Sequence, residues 1–137
     1  MCYTILRADY VVSIENQLSS DELIVHCINK GRPSTFIGKK GHDFGEHMVP
    51  VKTNYSFTVP NWAFSDNDVY CNVTCPNILN KTYSLRAFVS MFDFIDHYCG
   101  GRHCFWKVSD VWISLFNLKK KQYVDIFKWP NMYNTTF

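Results

Sequence analysis

Cys99-Gly100-Gly101-Arg102-His103-Cys104-Phe105-Trp106-Lys107-Val108 joins a turn to a strand. The two glycines supply turn chemistry, and the run that follows is aromatic and β-branched. One step beyond Phe105 the pleat returns to the side of Cys104, so Trp106 is expected in the core beside the late cysteines. The same grammar recurs upstream, where Cys27 ends Leu23-Ile24-Val25-His26-Cys27 and Cys71 ends Asp68-Val69-Tyr70-Cys71. With Cys2 and Cys75 the chain holds six cysteines in 137 residues, and it carries N-glycosylation sequons at Asn54, Asn72, Asn80 and Asn134. The two signals together read as a secreted, extracellular, disulfide-stapled glycoprotein.

Period-2 segments fill most of the rest. Tyr10–Ile14, Glu22–Ile28, His47–Val51, Tyr55–Val59, Val69–Val73, Cys104–Val108, Trp112–Phe116 and Gln122–Phe127 are rich in β-branched and aromatic residues. Turn residues punctuate them at Asn29–Pro33, Lys40–Asp43, Pro60–Asn61, Ser65–Asp68, Pro76–Asn77 and Gly100–Gly101. This spacing predicts an all-β domain, an antiparallel β-sandwich of about seven to eight short strands. Leu85 to Ile95 also fits a helical period, and its aromatic content and β flanks assign it to a strand.

Length and composition bound the function. A chain of 137 residues is one domain with room for a core, and 47% hydrophobic with 17% aromatic content is too apolar for disorder. A formal charge of +2 gives no electrostatic case for nucleic acid, and Lys119-Lys120-Lys121 reads as a solvated turn between strands. Charged or polar residues interrupt every apolar run before membrane-spanning length, so no membrane insertion is expected. Arg7 and Asp9 interrupt any apolar core of a signal peptide, so the secreted reading takes a leader to have been removed ahead of Met1.

Catalytic and metal patterns are weak. His42-Asp43-Phe44-Gly45-Glu46-His47 places two histidines five apart with a helix-breaking glycine between them, unlike the four-residue helical spacing of zinc proteases. It reads as a loop leading into a strand. Cys71 with Cys75, and Cys99 with Cys104, have the spacing of two zinc knuckles, but the sequon at Asn72 lies inside the first and favours disulfides. There is no nucleophile elbow and no phosphate-binding glycine loop. No enzyme, metal or cofactor is expected.

From Val12 to Trp129 the chain resembles the plant self-incompatibility protein homologues, or S-protein homologues. The resemblance rests on Leu23–Cys27, Phe44-Gly45-Glu46-His47-Met48-Val49, Tyr55-Ser56-Phe57 with Asn61–Phe64, Tyr70–Val73, Cys99 with Cys104–Val108, and Tyr123–Trp129, in the family's order. The departures are a longer Asn29–Asp43 loop, Cys75 where a Trp is typical, and Val111-Trp112 in place of a Gly after Asp110.

This resemblance implies an antiparallel β-sandwich secreted as a protein ligand for cell–cell recognition, whose best understood relatives bind a pollen membrane protein. The expected partner is a cell-surface membrane protein or receptor; the alternative is a secreted defence or toxin-like module binding membranes or glycans. Exposed aromatics such as Trp62 or Trp112 would favour the alternative, although core burial is the expected fate of each. The expected bridges are Cys27–Cys104 and Cys71–Cys99, pinning early strands to the late Cys-Trp strand, with Cys2–Cys75 as an addition. The Asn29–Asp43 loop is the expected partner-binding surface, its Arg32, Lys39 and Lys40 forming a cationic rim that steers an acidic partner.

Overall fold

The computed structural model describes residues 9–31, 42–60, 67–77, 81–89 and 94–129, with the side chains of 125–127 left aside. Among these residues nine strands form two sheets: β1 Tyr10–Gln17, β2 Leu23–Asn29, β3 His42–Val49, β4 Asn54–Val59, β5 Asp68–Cys75, β6 Lys81–Val89, β7 His103–Ser109, β8 Trp112–Asn117 and β9 Gln122–Lys128. A five-stranded sheet runs β4-β1-β7-β8-β9 and a four-stranded sheet runs β3-β2-β5-β6. The all-β sandwich expected from the periodicity is the fold. The pairing is antiparallel except between β1 and β7, which run parallel. Those two strands are joined through the opposite sheet and not by a hairpin, so nothing local dictates their relative direction.

Each strand offers one apolar face. Val12 and Ile14 of β1, Cys104, Trp106 and Val108 of β7, and Ile113 and Leu115 of β8 meet Val25 and Cys27 of β2, Val69, Cys71 and Val73 of β5, and Leu85 and Ala87 of β6 in one buried cluster. Trp106 is 3% exposed and donates its indole N–H to the Ala87 carbonyl on the facing sheet, 3.1 Å away. Its position is the one read from the sequence.

Two segments depart from the sequence reading. His42–His47, read as a loop, is the first part of β3, which ends at Val49 before Pro50 removes a ladder donor. The strand is admitted by a bulge, because two residues, Phe44 and Gly45, stand opposite Cys27 between the pairs His26↔Glu46 and Ile28↔Asp43. Gly45 has φ +84°, the left-handed geometry such a bulge requires and glycine accepts. The Leu85–Ile95 segment divides: β6 runs to Val89, and Ile95–Cys99 forms a single π-helical turn. This turn packs against β8 and, to a lesser extent, β7 and β9.

Buried asparagines fasten the corners. Asn16 donates to the carbonyls of Asp21 and Val49 and accepts the Leu18 N–H. Asn117 donates to the Asp96 and His97 carbonyls and accepts the N–H groups of Lys119 and Lys120. Each thereby satisfies backbone groups that strand pairing leaves over.

Candidate recognition surface

The cysteines build scaffold, in a pairing different from the one expected. Cys27 bridges Cys71 and Cys99 bridges Cys104. Cys27 and Cys71 are direct cross-strand partners in β2 and β5, so their bridge lies within one sheet, which corrects the expected Cys27–Cys104 bridge. Cys99, on the π-helical turn, and Cys104, in β7, clip a chain reversal five residues apart, which corrects the expected Cys71–Cys99 bridge. Cys75 is a buried thiol joined to no other described cysteine, and Cys2, its expected partner, lies outside the described residues. Burial, with the nearby Asp21 and Asp110 charges, pushes the Cys75 thiol up to about 12, leaving it protonated.

Of the sequon asparagines, Asn54 opens edge strand β4 and Asn72 lies mid-strand in β5, and both are exposed on outer sheet faces. Asn80 and Asn134 lie outside the described residues, as do Arg32, Lys39 and Lys40 of the long loop and Trp62.

The polar groupings among the described residues serve local structure. Among the described residues no three His, Cys, Asp or Glu side chains are placed to hold a metal ion. His47 turns to the interior side, stacked on Tyr55 at 4.1 Å and bonded to the Phe44 carbonyl, whereas Glu46 is exposed opposite His26. Asp43 accepts the Gly45 N–H and pairs with His26 Nε2 at 2.7 Å, and these bonds hold its carboxyl below the usual range. Both bonds secure the bulge.

On the larger sheet Ser13 Oγ meets His103 Nε2 at 2.6 Å and Ser56 Oγ at 2.7 Å. A serine–histidine contact is half of an activated nucleophile, but Ser13 is 3% exposed in the middle of a sheet whose amides pair between strands. Partial burial lowers the His103 pKa. The chain of hydroxyls ties β4, β1 and β7 together.

The outer face of β7–β8–β9 is the surface the sequence did not announce. Pleat alternation that sends Cys104, Trp106 and Val108 inward sends His103, Phe105 and Lys107 outward, and β8 likewise presents Trp112, Ser114 and Phe116. His103 stacks on Phe105 at 3.7 Å, Phe105 stands opposite Phe116, and Phe116 meets Tyr123 edge-on at 5.1 Å. Lys107 lies over the Tyr123 ring and Lys128 over the Trp112 ring, each at 5.4 Å. Trp112 is 43% exposed, so its expected place in the core is overturned: Ile113 and Leu115 occupy the inward positions of β8. The outward placement of Phe105 follows from that of Trp106, which was the available signal.

Another opening, of about 330 Å³, lies between β6 and the π-helical turn, with Trp106 among its lining residues. Its Arg86 is held by both carboxylate oxygens of Asp68.

Among curated proteins no match is found. A family model described as plant self-incompatibility protein S1 matches residues 11–129, from the second residue of β1 to the tryptophan that follows β9. The match takes in both sheets and both bridges, and the chain belongs to the plant self-incompatibility protein S1 family.

Proposed function

We propose that this protein is a secreted extracellular ligand in cell–cell recognition, bound by a membrane protein on the surface of the responding cell. The observation that carries the reading is the family match over residues 11–129. The structure supports it at the level of scaffold: a stapled sandwich whose exposed Asn54 and Asn72 are accessible to glycan transfer. Partner choice then resides in surface features carried by a rigid frame. On the sequence, Arg32, Lys39 and Lys40, in the segment between β2 and β3, supply cationic charge that raises the rate of encounter with an acidic partner.

The experiment is expression behind a secretory leader in eukaryotic cells, followed by glycosidase digestion and binding of the medium protein to intact plant cells. Glycosidase-sensitive mass and saturable binding that falls in the Lys39→Glu/Lys40→Glu double variant support the reading. Intracellular retention of a folded product contradicts secretion, and unchanged binding in the double variant removes the loop. A second reading, attachment to glycans, is favoured by one observation, the exposure of Trp112 beside Lys128.

A further inference from the structure

We infer that the outer face of β7–β8–β9 binds an anionic polysaccharide, with sugar rings stacked on Tyr123 and Trp112 and carboxylates paired with Lys107 and Lys128. The inference rests on the extracellular reading only for bringing such a polymer within reach.

The face is unusual for its position. An antiparallel sheet that turns one side to water ordinarily carries polar residues there, yet Phe105, Phe116 and Tyr123 lie side by side across three strands, with Trp112 further along β8. Tyr123 is 38% and Trp112 43% exposed, and Val111 beside Trp112 is 50% exposed. Exposed apolar residues gathered on one face, as distinct from scattered singly, mark a contact surface. Among the described residues no element packs over it, because the π-helical turn sits on the opposite side with inward-facing Asn117 and Cys104.

The shape selects a polysaccharide over a peptide. Peptides bind by pairing with a free strand edge or by filling a groove. Here β7 is paired on both sides by β1 and β8, and β8 by β7 and β9; of these three strands only β9 has, among the described residues, an open edge, and the rings and ammonium groups stand across the face of the sheet and not along that edge. What the face offers is ring planes and ammonium groups in repetition. Tyr123 with Lys107 and Trp112 with Lys128 form two such units, separated along β8 by the four residues from Phe116 to Trp112, or about 13 Å. A chain of sugars presents flat C–H faces for rings and, when it bears uronic acids, a carboxylate at each step.

Charge decides the sign of the ligand. Lys107 and Lys128 stand on the face, and the exposed Lys120 and Lys121 lie in the β8–β9 turn at its end. Glu15 faces Lys107 from β1, and Asp96 pairs with Lys119 at 3.4 Å, so the described surroundings remain cationic. Such a field concentrates polyanions and weakens with salt.

The test uses the purified, folded glycoprotein with polygalacturonate as probe, beside cello-oligosaccharide, poly-glutamate and phosphatidylserine vesicles. The expected result is salt-sensitive binding to polygalacturonate that weakens about tenfold in Trp112→Ala and in Tyr123→Ala, the size of one lost stacking contact, and at least as much in Lys128→Glu. Binding to the three comparison probes is expected to be weaker by a similar factor. Absence of polygalacturonate binding, equal binding to poly-glutamate or vesicles, preference for the neutral sugar, or indifference to both ring substitutions overturns the inference. Melting of each variant at the wild-type temperature confirms that the fold is intact, and Trp112→Gln replaces any variant that fails this check. Loss of polygalacturonate binding with cell-surface binding retained separates failure here from failure of the recognition reading.

Discussion

Cys27 and Cys71 face each other across β2 and β5 with Cα atoms 4.0 Å apart, and their bridge therefore reinforces one sheet without joining the two layers. It closes a sequence separation of 44, against five for Cys99–Cys104. Chain entropy alone then assigns about 4 kcal/mol to the first and about 2 kcal/mol to the second. Thermal melting of Cys27→Ala/Cys71→Ala and Cys99→Ala/Cys104→Ala proteins checks this order; a larger loss in the second pair would show that the short clip does more than restrict the unfolded chain.

Cys75 provides a test of the redox assignment. Alkylation of the folded, unreduced protein is expected to leave Cys75 unmodified, because the thiol is buried and raised to about 12. Alkylation after denaturation without reductant is expected to label Cys75 and to spare Cys27, Cys71, Cys99 and Cys104. Recovery of Cys75 in a disulfide-linked peptide would refute the free thiol.

Trp106 fills the space between the sheets and keeps its indole N–H bonded to the Ala87 carbonyl. Trp106→Ala is expected to cost about 3–5 kcal/mol in chemical denaturation. A cost below about 1 kcal/mol would mean that the core closes over the cavity, contrary to the close packing of interiors.

Two of the left-handed glycines separate strain from collision. Gly45→Ala at φ +84° adds a Cβ 3.7 Å from His47 Nε2, an ordinary contact, so the cost is conformational and about 1–2 kcal/mol. Gly100→Ala at φ +73° would put its Cβ 2.6 Å from the Lys119 backbone nitrogen and 2.7 Å from Asn117 Cγ, which are fixed by the corner hydrogen bonds. Its loss of stability is expected to exceed that of Gly45→Ala; equal melting temperatures would show that the Gly100 corner yields.

His103 sets an acid limit. Partial burial lowers its folded pKa below 6.5, so the unfolded chain binds its proton more readily. The stability linked to this group is complete above pH 6.5 and is lost as pH falls from there through the folded pKa. Comparing melting at pH 7.5 and pH 5, His103→Gln is expected to show a smaller drop than wild type. An equal drop would assign the acid sensitivity to other groups, and Asp43, with a carboxyl pKa held below 3.8, acts only at lower pH.

Much of the fold was legible because alternation speaks directly about faces. Val25 and Cys27 inward with His26 outward, or Trp106 inward with Phe105 outward, follow from the pleat alone. Strand partnership is not local in that way. Nothing in the spacing of Cys27, Cys71, Cys99 and Cys104 states that β2 lies beside β5, so the sequence leaves the true pairing hidden. The parallel β1–β7 pair was hidden by the same non-locality. Gly45 breaks a helix and so makes His42–His47 look like a loop, whereas a left-handed glycine is how a bulged strand continues. Trp112 was placed inside because size favours burial, yet Ile113 and Leu115 had already claimed the inward positions.

Binding of the labelled, secreted protein to intact responding cells, measured before and after mild proteolysis of those cells, tests the proposed recognition role most directly. Saturable binding that disappears when surface proteins are trimmed is the predicted result. Binding that survives proteolysis, or that never saturates, would contradict a membrane-protein receptor.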